Sequence, residues 1–74
     1  MNDREKFILE LVNQQHLIRK EDLVMRLHNE GFSDGIAIAN RLKDQGYLKF
    51  VDSVGTPCFT ITQHGMRALK ENQF

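Results

Sequence analysis

The chain has 74 residues, enough for one small domain with a single core and too few for a second. Its 10 Lys+Arg and 10 Asp+Glu give a formal net charge of zero, which argues against a partner held by bulk charge alone. One cysteine, Cys58, excludes an internal disulfide, and no apolar run reaches the length of a membrane span, so no membrane partner is expected.

Dividing the chain uncovers no basic half: residues 1–18 carry two basic and three acidic groups, 19–32 three and three, 33–57 three and three, and 58–74 two and one. Cations must therefore be gathered by folding, or doubled by dimerisation, before they form a patch. The charged residues 3–6 precede only the short apolar pair Phe7 and Ile8, which does not read as a signal peptide. The expected location is a reducing cytoplasm.

Asn2 or Asp3 can cap a first helix whose acidic first turn, Asp3 and Glu5, suits the positive end of the helix dipole. Phe7, Ile8, Leu11 and Val12 form its core stripe, and the helix is predicted to end near Gln14 or Gln15. Leu17 and Ile18 then form a pair short enough for a one-rung strand. Residues 19–30 read as a second helix, with Leu23, Val24 and Leu27 inward and Lys20, Glu21, Arg26 and Glu30 in solvent. Gly31 is its stop, Phe32 plugs the turn, and Ser33 caps a third helix over about 33–45.

On a helical wheel Gly35, Ile38, Ala39 and Leu42 fall on one side of that third helix, and Ser33, Ala37, Asn40 and Asp44 on the other. The small residues at 35 and 39 predict a close approach to neighbouring helices. Gly46 ends the helix, and Tyr47, Leu48, Lys49, Phe50 and Val51 have strand composition. Residues 52–57 carry turn signals, predicting a hairpin loop of about four to six residues before a return strand over 58–61. Thr62 caps a final helix from Gln63 to about Asn72, with Met66 and Leu69 inward; Gly65 in its first turn implies close packing.

The order helix, short strand, helix, helix, strand, strand, helix, with Gly46-Tyr47-Leu48 joining the third helix to the hairpin, resembles the winged helix-turn-helix superfamily of small bacterial, archaeal and phage regulators. The segment 61–69, ITQHGMRAL, is similar to the "strand, Thr, x, x, Gly, x, x, x, Leu" ending common after the wing in these proteins. The resemblance implies an α+β fold: a three-helix core, a two- to three-stranded β-wing and a C-terminal helix. It also implies a double-stranded DNA partner, with the third helix in the major groove.

Carried over by position, the implied base contacts are Ser33, Ile36, Ala37, Asn40 and Arg41. Arg19, Lys20, Lys43 and Lys49 are the implied phosphate contacts, and Ser53, Gly55 and Thr56 form the wing tip. The chain departs from the family pattern at Asp34 and Asp44, whose charge opposes phosphate, and at a wing tip without arginine or lysine. With so few cations per protomer, a homodimer is expected. Helix one and the last helix, with Phe74, are its candidate contact surfaces.

Other readings of the same residues stay open. Ser33 serves as a helix cap, Arg19 and Lys20 beside Glu21 and Asp22 make a locally neutral helix start, and Lys49 solubilises a strand edge. Ile36, Ala37 and the neutral wing could instead contact a protein partner. His16, His28 and His64 lie in different elements without metal-site spacing, and Cys58 reads as a small core residue. No nucleophile elbow, phosphate loop or carboxylate pair is visible, so neither enzyme activity nor a metal or other cofactor is expected.

Overall fold

The structure is a computed structural model that describes residues 2–53 and 55–71. Among the described residues the chain folds as α1 (Asp3–Gln15), β1 (Leu17–Arg19), α2 (Lys20–Asn29), α3 (Gly35–Asp44), β2 (Leu48–Ser53), β3 (Thr56–Ile61) and α4 (Gln63–Glu71). The class is α+β, with an antiparallel three-stranded sheet in the order β1-β3-β2. The expected end of the last helix at Asn72, the dimer contact at Phe74 and the turn residue Val54 lie outside the described residues.

α1 begins in a reciprocal cap: the Asn2 side chain accepts from the Glu5 N–H at 2.9 Å, and the Glu5 carboxylate accepts from the Asn2 N–H at 3.0 Å. Ile8, Leu9, Leu11 and Val12 are buried, while Phe7 packs edge-on against Phe32 with ring centroids 5.3 Å apart. Leu9 widens the predicted stripe because α1 is enclosed by α3, α4 and β3 together.

α2 and α3 end alike. Gly31 (φ 82°) and Gly46 (φ 87°) supply the left-handed residue after each helix. The next N–H reaches back across the last turn, Phe32 to the Leu27 carbonyl and Tyr47 to the Leu42 carbonyl, both at 2.9 Å. These paired glycine stops fix the angle at which α3 leaves α2 and β2 leaves α3.

The start of α3 differs from expectation. Asp34, not Ser33, is the N-cap, and its side chain makes no capping hydrogen bond. The Gly35 N–H is taken by the Phe32 carbonyl (3.1 Å), and the Asp34 carboxylate is drawn across to Arg4 (3.0 Å), so Ser33 stays in the turn. Gly35, Ile38, Ala39 and Leu42 are all buried as the wheel predicts. A Cβ on Gly35 would lie 2.6 Å from Leu27 Cδ1, the contact that holds α3 tight against α2.

Two side chains expected inside are at the rim instead. Val24 is 41% exposed because Leu23 and Leu27, one turn apart, already fill the buried side of α2. Met66 is 44% exposed, while Gly65, Ala68 and Leu69 form the buried stripe of α4.

The hairpin is tighter than predicted. Pairing runs from Leu48↔Ile61 to Ser53↔Thr56, leaving two positions between the strands in place of a four- to six-residue loop. Pro57 is tolerated because β1 pairs with β3 only at residues 58–60, so no neighbour asks for a Pro57 N–H. Ile18, Phe59 and Phe50 form a cross-strand row in which Phe59 is the largest fully buried side chain.

Candidate nucleic-acid interface

The inner stripe of α3 is fixed by the core, and its outer stripe is what it offers a partner. Ala37, Asn40 and Asp44 are exposed along that stripe, and Ser33 is exposed in the turn before it. The Asn40 carboxamide has no hydrogen-bond partner among the described residues. Ile36 is only half available, since it packs partly against the core.

Arg41 is not gathered with Asn40. Adjacent helical residues point about 100° apart, whereas residues seven apart share a face. Arg41 therefore lies over Asp34, and both reach the first turn of α1: Arg41 to Glu5 at 3.9 Å, Asp34 to Arg4 at 3.0 Å. The Arg4 guanidinium also sits 5.5 Å from the Phe32 ring centroid. The Arg4–Asp34 pair is exposed and contributes at most about 1 kcal/mol, whereas the Glu5 side chain is only 14% exposed, so its contact with Arg41 is the better shielded of the two.

The four implied phosphate contacts differ in availability. Arg19 bonds Asp22 at 2.8 Å and lies 3.6 Å from Glu21. The hydrogen bond to Asp22 and the charges of both carboxylates raise the guanidinium pKa above its ordinary value. Lys43 is 3.9 Å from Asp44. Lys20 is exposed at the start of α2, where it lines an open groove of about 470 Å³ with Glu21, Val24, Gly55, Thr56 and Pro57.

This groove brings the start of α2 together with two of the predicted tip residues, Gly55 and Thr56. Ser53 closes the strand register opposite Thr56. Lys49 is exposed and pairs with Thr60, which places it on the sheet face opposite Phe50.

Sequence reasoning missed Arg4 and Glu5 as the α1 partners of α3. The Arg4–Asp34 bond spans 30 positions, and helix periodicity carries no signal over that distance. It also missed Met25, 64% exposed on the solvent side of α2 beside Val24.

Cys58 is buried, its thiol 3.5 Å from the Thr56 carbonyl oxygen. Among the described residues no three His, Cys, Asp or Glu side chains converge as metal ligands would, and no helix is long and apolar enough to cross a membrane. No protein-family model matches the chain, and neither a curated protein nor a solved structure matches it.

Proposed function

We propose that the chain is a small winged helix-turn-helix protein that binds double-stranded DNA as a homodimer and acts as a cytoplasmic transcriptional regulator. The observation that carries this reading is the two-sided character of α3: its inner stripe is packed into the core, while Ala37 and Asn40 project outward without internal partners. The glycine-stopped turn between α2 and α3 and the hairpin that follows α3 support the same reading. Lys20 beside the hairpin turn supplies a phosphate contact at the start of α2.

Retention of the full chain on random duplex DNA at low ionic strength tests the proposal. Binding that weakens steeply with added salt is the expected result. Absence of retention even at low salt would overturn it.

A second reading, a protein-interaction module built on Ile36, Ala37 and the hairpin, is favoured by the internal pairing of Arg19, Arg41 and Lys43 with carboxylates. On that reading the protein ignores DNA and copurifies with a partner that Ala37→Asp releases. Ala37 is exposed, so this substitution tests the surface and not the fold.

A further inference from the structure

We infer that the outward face of α3 reads an A·T base pair, through Asn40 and Ala37, and that Arg41 takes no part in base reading. The inference rests on the DNA-binding reading above and assigns its sequence preference.

The major groove offers each base a distinct pattern, and the side chains that read it are correspondingly distinct. A carboxamide pairs bidentately with the N7 acceptor and N6 donor of adenine, and a small apolar side chain fits the thymine methyl group. Guanine, with two acceptors, asks for a cation, arginine or lysine, and Lys43 of α3 lies beside the Asp44 carboxylate at 3.9 Å. On the outer stripe of α3 the groups free to read are the Asn40 carboxamide and, one turn before it, the Ala37 methyl. Asp44, the next member of the stripe, offers an acceptor that suits the cytosine amino group but carries a charge opposed to phosphate, and the Ser33 hydroxyl fits either base pair.

Arg41 is the one arginine on α3, and it is turned away from this stripe. Its guanidinium rests by Glu5, in the same two-helix seam where Arg4 holds Asp34. Glu5 is itself fixed by its bond from the Asn2 N–H, so the carboxylate facing Arg41 is held in place by the cap of α1. The forked cation of α3 thus rests in the seam with α1, and the group on the outer stripe that presents a matched donor and acceptor is the Asn40 carboxamide.

The test is selection of bound duplexes from a random pool at low salt with the full chain, followed by affinity measurements on the selected site for Asn40→Ala and Arg41→Ala. The expected pool is enriched in A·T at the contacted step. Asn40→Ala should erase the enrichment and weaken binding to the selected site roughly 5- to 150-fold. Arg41→Ala should keep the enrichment and change affinity less than about threefold, the range of an exposed phosphate-side charge. Both side chains are exposed, so neither substitution is expected to disturb folding. A pool dominated by guanine and erased by Arg41→Ala, or a bound pool with no preference, would overturn this inference and leave DNA binding standing. No retention of any duplex would remove both.

Discussion

Gly65 occupies the first turn of α4, where alanine would raise helix propensity by about 1 kcal/mol. Space decides the other way. A Cβ there would collide with the Tyr47 carbonyl oxygen and lie 2.8 Å from Ile61 Cγ1, so α4 can sit this close to the turn before β2 and to the end of β3 only without one. Gly65→Ala should therefore lower stability by a net 1–3 kcal/mol, roughly the cost of overpacking, measured by urea denaturation. An unchanged or raised midpoint would mean that α4 does not dock as described. His16 shows the opposite case, a side chain where glycine belongs: its φ of 64° and ψ of −41° fall outside the relaxed left-handed well. Relief of that strain should let His16→Gly raise stability by about 1 kcal/mol, read as a higher urea midpoint at unchanged slope.

Between elements, one hydroxyl joins three of them. Thr62 donates to the Gly46 carbonyl at 2.7 Å, sits 3.1 Å from the Tyr47 carbonyl and accepts from the Gly65 N–H at 3.0 Å. It thereby ties the stop of α3 and the start of β2 to the cap of α4, while Tyr47 and His64 stack alongside with ring centroids 4.6 Å apart. Thr62→Val keeps the shape and the Thr62 N–H bond to the Tyr47 carbonyl but removes the hydroxyl partner of the Gly46 carbonyl and the Gly65 N–H, and should cost about 1–3 kcal/mol; Thr62→Ser should recover most of it in the same thermal or urea melt. If valine and serine behave alike, the hydroxyl is not the joint.

Packing between elements limits what a short stretch of sequence reveals. The inner stripe of α3, the stops at Gly31 and Gly46 and the cap at Thr62 were legible because each is set within about one helical turn of chain. Val24 and Met66 were misplaced because periodicity marks a face without its width, and neighbouring helices set the width. Ser33 lost the cap to a turn bond at Gly35 and to the pull of Arg4 on Asp34, neither of which a short window contains. The Glu5 partner of Arg41 is equally out of reach of a short window, although the wheel already turns Arg41 about 100° from Asn40.

For the whole molecule, zero formal charge makes the number of phosphate contacts the decisive quantity. Of the implied set, Arg19 and Lys43 already face carboxylates, whereas Lys20 and Lys49 make no ion pair among the described residues. Binding would have to exchange the partners of the first two for phosphate, a modest cost because those pairs are exposed and weak. If all four engage, each protomer should contribute a slope of about −3.6 to log K against log salt, and a bound dimer about −7.2. A slope near −7 together with two protomers per duplex in sedimentation would establish binding as a dimer. Replacing Arg19 and Lys20 by alanine should then flatten the slope by nearly half and weaken every sequence alike, since phosphate contacts carry no base preference. A slope near −3.6 with one protomer per duplex would instead leave a monomer whose specificity rests on the few groups that α3 presents. In that case Asn40 becomes the residue on which target choice depends.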